Sequence, residues 1–398
     1  MKLSQRVLSI KPSATLAVDA KAKAMRRAGV DVVNFAAGEP DFDTPANIRQ
    51  AAMRAIEEGH TRYTPVGGTD ELKDAVIAKL RRDNGLDYQR SEIIVSNGGK
   101  QSFYNLCQAC FEEGDEVLLP APFWVSYLPM IVLSGARAVI VPASEARGFK
   151  VGPQELAPHV GPRTRALVLN SPSNPTGAVY TPEELEALAA FAIKHDLVVI
   201  SDEIYERIVF DGPPPPSIAT YPGMKERTFV LNGVSKAYAM TGWRIGYLAG
   251  DAEAVKAMTK VQSQSTSNPN SIAQKAAVEA LTGPQESVER MRRIFEERRN
   301  YISDRLNALP GVSCARPGGA FYVFPNLSRY LGKEVDGRTL ATSKDLAEYL
   351  IDEAKAAVVP GSDFGAEGFI RLSYAISMED IEKGLGRIEV ALKRLGAP

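Results

Sequence analysis

The sequence predicts an α/β protein whose large domain is a mostly parallel seven-stranded sheet, accompanied by a smaller α/β domain. Short apolar, β-branched runs recur through the first two-thirds of the chain, and helix-length stretches separate many of them. Runs that are apolar throughout, rather than alternating, suit a sheet covered on both faces by helices. At 398 residues the chain is long for one compact layer, so two domains are expected.

In chain order, strands are expected over 93–95, 116–120, 138–141, 166–169, 197–200, 229–231 and 245–249. Thr181-Pro182-Glu183-Glu184 opens a helix over 183–195, with proline at the first helical position and acids in the first turn. After Gly283-Pro284 a charged, helix-prone stretch from Gln285 to about Leu309 leads into the smaller domain. That domain mixes strand-like 320–324 and 369–373 with a helix over 378–395. The division is therefore 1–46, an N-terminal arm with part of the small domain; 47–284, the large domain; and 285–398, the connecting helix and small domain. Pro213-Pro214-Pro215-Pro216 lies between strands of one sheet and reads as a surface loop.

Composition excludes more than it names. A net charge of −1 argues against a nucleic-acid-binding face. No apolar run approaches membrane-spanning length, and no signal-peptide pattern opens the chain. The three cysteines include Cys107 and Cys110, a CxxC set in an apolar-periodic stretch that faces a helical core; this sparse, odd count fits the cytoplasm. His60, His159 and His195 are scattered and make no metal site.

The chemistry concentrates in Ser235-Lys236-Ala237-Tyr238-Ala239-Met240-Thr241-Gly242-Trp243-Arg244. A lysine amine in a packed, dry setting loses basicity and can condense with an aldehyde. A hydroxyl and a guanidinium nearby are what a phosphate ester requires. Pyridoxal 5′-phosphate carries both groups; a surface lysine in a turn is the competing reading. Asp202 stands at the carboxyl end of an apolar strand, where open α/β sheets bind ligands. Its carboxylate suits either a protonated pyridine nitrogen or the N-cap of a following helix. Tyr205 is three residues on, placed to offer a phenol to the ring's 3-oxygen. Asn170-Ser171-Pro172-Ser173-Asn174-Pro175-Thr176-Gly177 follows another such strand, and its prolines present Asn174 from a rigid loop. Ser96-Asn97-Gly98-Gly99-Lys100-Gln101 runs from a strand into a helix, a place where backbone N–H groups bind anions.

Asn174-Pro175-Thr176-Gly177, Asp202-Glu203-Ile204-Tyr205, Ser235-Lys236 with Arg244, and Phe369-Ile370-Arg371-Leu372-Ser373 occur in the order and spacing of the class I aminotransferases, which the chain resembles from about Lys11 onward. Lys11-Pro12-Ser13-Ala14-Thr15, Ala37-Gly38-Glu39-Pro40-Asp41-Phe42 and Gly98-Gly99-Lys100-Gln101 resemble the bacterial aspartate aminotransferase branch. The resemblance implies a fold-type I pyridoxal-phosphate transferase acting on amino acids and 2-oxo acids. It gives Lys236, Asp202 and Tyr205 catalytic roles. It implies that Gly99, Lys100, Ser235 and Arg244 hold the phosphate, while Trp124 stacks on the ring and Asn174 bonds its 3-oxygen; a plain core tryptophan is the alternative at Trp124. Tyr63 would reach the phosphate in a neighbouring subunit, making a homodimer with shared sites.

For substrate, Arg371 would take the α-carboxylate through its planar fork, with Gly38 closing over the other side. A structural salt bridge is the other use for such an arginine. Lys11 is a candidate for the distal carboxylate, or else a solvated lysine on the arm. The expected reaction is amino transfer from L-aspartate to 2-oxoglutarate, giving oxaloacetate and L-glutamate. Prephenate or aromatic aminotransferase activity, alone or with the aspartate activity, is the alternative, and a lyase on the same fold a more distant one.

Overall fold

The computed structural model describes residues 1–12 and 14–396; Ser13 of the Lys11–Thr15 motif lies outside them. Its centre is a seven-stranded sheet in the order Ile93–Ser96, Gly246–Ala249, Thr228–Gly233, Val198–Asp202, Thr164–Asn170, Glu116–Ala121 and Arg137–Pro142. Gly246–Ala249 runs antiparallel to both neighbours, and the remaining pairings are parallel. Each strand falls on an expected apolar run. The inner strands are buried along almost their whole length, because helices cover both faces and leave no side to alternate toward water.

Local signals set the helix boundaries. Helix Pro182–Lys194 starts with a reciprocal cap: Glu184 N donates to Thr181 Oγ1 at 3.3 Å, and Thr181 N donates to Glu184 Oε2 at 2.8 Å. The charged stretch forms Glu286–Asn307, whose Val288, Met291, Phe295, Ile302 and Leu306 make a buried stripe. The expected strand over 320–324 is shorter than its apolar run, Tyr322–Val323, because Ala320 takes a left-handed φ of +59° that strand geometry does not accommodate. Tyr322–Val323 pairs antiparallel with Ile370–Ser373, which pairs with Val359–Pro360. Val33–Asn34 pairs with Ala356–Ala357, so the start of the chain is built into the same region as its end. One hydrophobic cluster joins Val33 and Phe35 to Tyr205, Phe295, Phe321 and Leu372. Among the described residues, no helix is long and apolar enough to cross a membrane.

Candidate active site

A cavity of about 420 Å³ opens at the carboxyl ends of the parallel strands, bounded by residues 36–39, the start of helix Gly99–Cys110 and the Ile370–Ser373 strand. Asp202 ends its strand and is buried at 4% exposure. Its Oδ2 accepts from the Tyr127 hydroxyl, and its Oδ1 from Ile204 N at 3.2 Å. A turn follows, so Asp202 caps no helix. Burial raises its carboxyl to about 6, while Tyr127, the Ile204 N–H and Lys236 pull the other way.

Lys236 Nζ enters the same cavity and donates to Gly38 O at 2.6 Å. Burial pulls its ammonium down to about 8; Glu39 and Asp202 oppose that, and Arg371 and Arg244 reinforce it. Near neutrality a useful fraction of this amine is therefore unprotonated and nucleophilic.

Arg371 is 1% exposed and points into the cavity from the middle of its strand. Nη1 donates to Asn174 Oδ1 at 3.0 Å and Nη2 to Ala36 O at 2.7 Å, whereas Nε has no acceptor among the described residues. Three of its five N–H groups thus remain for a ligand. Asn174 is fixed in turn: its N donates to Asn170 Oδ1 at 2.9 Å, and Asn170 Nδ2 donates to Asp202 O at 3.0 Å.

An anion-binding corner faces these groups. Gly98, at φ +88°, leads into the helix, and the N–H groups of Gly99 and Lys100 find no backbone acceptor among the described residues. Ser235 and Arg244 line the same corner; among the described residues Arg244 donates only to the carbonyls of Thr241 (2.8 Å) and Asn97 (3.1 Å). A Cβ on Gly98 would collide with that guanidinium, and one on Gly246 with Gly99 N, so side chains would close this corner. Trp124 forms a half-buried wall, and Lys100 Nζ lies 5.2 Å from its ring centroid with no carboxylate partner among the described residues. Gly38 and Tyr205 complete the lining. Tyr63, at 92% exposure, and the exposed Lys11 stand outside this cavity.

The model of the aminotransferase class I and II family matches residues 30–388. The chain belongs to this family. Over 98% of both chains it is 50% identical to an aspartate aminotransferase of Geobacillus stearothermophilus. It is 48% identical to an aspartate/prephenate aminotransferase of Nitrosomonas europaea, over 98% of this chain and 99% of that one. Among solved structures, the aspartate aminotransferase of Rhizobium meliloti superposes with a TM-score of 0.95 at 43% identity, covering 99% of each chain. That of Thermus thermophilus, described with maleate, gives 0.92 at 46% identity, covering 98% of this chain and all of the other.

This aminotransferase site also contains residues that sequence reasoning missed. Tyr127 and Tyr322 sit in apolar stretches and read as core, although Tyr127 supports Asp202 and Tyr322 packs beneath Arg371. Asn170 stood inside a recognised loop but gave no sign that it ties Asp202 to Asn174.

Proposed function

We propose that this chain transfers the amino group of L-aspartate to 2-oxoglutarate, using pyridoxal 5′-phosphate. The observation that carries the reading is one cavity that holds a nucleophilic amine and the buried Asp202 carboxylate and, beside Glu39 and the paired Lys23 and Asp19, three cations, Arg244, Arg371 and Lys100, with no carboxylate partner among the described residues. The residues fit the cofactor. Side-chain-free Gly98 and Gly246 leave a corner with free N–H donors, a hydroxyl and a guanidinium, as a phosphate ester needs. The cavity volume is that of a small-molecule site.

Gly99 and Lys100 (through their N–H groups), Ser235 and Arg244 would hold the phosphate; Trp124 would cover the ring, Asn174 and Tyr205 would bond its 3-oxygen, and Asp202 would pair with its nitrogen. When bound, the cofactor supplies an aldehyde and a conjugated system that accepts electrons from the substrate. Lys236 would be its point of attachment, and as a free amine Lys236 Nζ would take the substrate's Cα proton and return a proton as general acid. Arg371 orients the substrate by its α-carboxylate, with Gly38 on the opposite side. The unpaired Lys100 ammonium is better placed than Lys11 for a second carboxylate, because it lines the cavity of its own chain.

Tyr63, exposed here, would complete a phosphate site across a homodimer. The chain divides on this reading into 1–46, 47–284 and 285–398. A cytoplasmic location suits its three free cysteines. The relative named for both aspartate and prephenate favours a second substrate, prephenate. A screen of donors and keto acids tests both. Aspartate with 2-oxoglutarate should be among the fastest pairs, and a protein that turns over other donors much faster overturns the assignment.

A further inference from the structure

Tyr322 touches three parts of the site at once. It is 1% exposed, and its hydroxyl lies 2.9 Å from that of Tyr205. The Arg371 guanidinium carbon sits 4.5 Å from its ring centroid, and a Cβ on Gly38 would come within 3.2 Å of its oxygen. The geometry points to Tyr322 as a positioning residue that couples carboxylate binding at Arg371 to the hydrogen bond Tyr205 offers the cofactor. The inference rests on the pyridoxal-phosphate reading above.

Two phenols at hydrogen-bond distance share one bond, which engages one of their two protons. If Tyr205 donates to Tyr322, its proton is spent; if Tyr322 donates, the Tyr205 proton is free to point into the cavity. The surroundings select the second arrangement. A cation against the face of an aromatic ring draws electron density from it and makes its hydroxyl the better donor. Arg371 does this to Tyr322, and both Arg371 and the bond to Tyr205 pull the Tyr322 phenol down against burial. Burial also holds the Tyr205 phenol well above its ordinary value. A carboxylate bound to Arg371 neutralises part of that cation. Tyr322 then donates less strongly, Tyr205 keeps its own proton more tightly, and a ring oxygen facing Tyr205 gains proton affinity.

The test is a pH titration of the holoprotein's visible absorbance, without and with saturating maleate as a non-reacting dicarboxylate. Maleate should raise the midpoint in the wild type. In Tyr322→Phe, which keeps the ring under the guanidinium and removes only the hydroxyl, the shift should fall to less than half. In a Tyr205→Phe background the added Tyr322→Phe change should have no further effect, the non-additivity expected of one shared path. Equal shifts in wild type and Tyr322→Phe overturn the coupling. A wild-type protein that takes up no pyridoxal phosphate and shows no such absorbance overturns the reading beneath it instead.

Discussion

Asp202 and Glu203 are adjacent in the chain and open into different cavities. The pleat sends Asp202 into the 420 Å³ cavity and Glu203, with Ser201, into a cavity of about 880 Å³ on the other side. Both are buried, and burial raises both carboxyls, to about 6 and about 7. Their neighbours differ. Glu203 accepts from Ser201 Oγ at 2.9 Å and Ser217 Oγ at 2.6 Å, and the cations around it are committed: Lys79 to Glu206, Arg207 to Asp83, and Arg292 to Glu289 and Glu296. On the Asp202 side Lys236, Arg244, Arg371 and Lys100 have no carboxylate partner among the described residues. The larger cavity has its charges settled and the smaller one does not. Unmatched charge, rather than volume, marks the working site.

Asparagine at Asp202 should break this contrast most sharply. Losing a charge-assisted bond to the cofactor costs roughly 3 kcal/mol, so kcat should fall about 10²–10³-fold in Asp202→Asn. Glu203→Gln should stay within a few-fold in steady-state kinetics, and equal losses at the two positions would erase the distinction. Arg371→Lys keeps the charge but loses the planar fork; KM for aspartate should rise about 10–100-fold, with a smaller change in kcat. An unchanged KM would remove Arg371 from the carboxylate site.

The smallest effect concerns stability. Glu203 binds its proton more tightly in the folded state than at the ordinary carboxylate value. Between about pH 4.5 and 7 the folded protein thus holds more protons than the unfolded one, and stability falls as pH rises through that window. Glu203→Gln lacks this slope. Its stability relative to wild type should climb by up to a few kcal/mol across the window and level off above it, as read from denaturant midpoints. A flat difference would show that Glu203 is not perturbed as its surroundings imply.

Much of this was legible in the sequence. All strands of the central sheet fall on apolar runs, and the inner ones do so because a strand buried on both faces must be apolar throughout. The small sheet was harder, because Val359–Pro360 and Tyr322–Val323 are too short to carry a period. Lys236, Asp202, Asn174 and Arg371 were each marked by unusual local surroundings, and they meet in one cavity. Tyr127, Asn170 and Tyr322 were not so marked. Their importance lies in contacts such as Tyr127–Asp202 and Tyr205–Tyr322, which join residues distant in the chain and leave no local trace.

The proposed chemistry depends on where vitamin B6 attaches. Borohydride reduction of the holoprotein, followed by peptide mass mapping, should place one pyridoxyl group per chain on the peptide containing Lys236 and none on Lys236→Ala. A label on another lysine, or a saturated protein that takes no label, would contradict it.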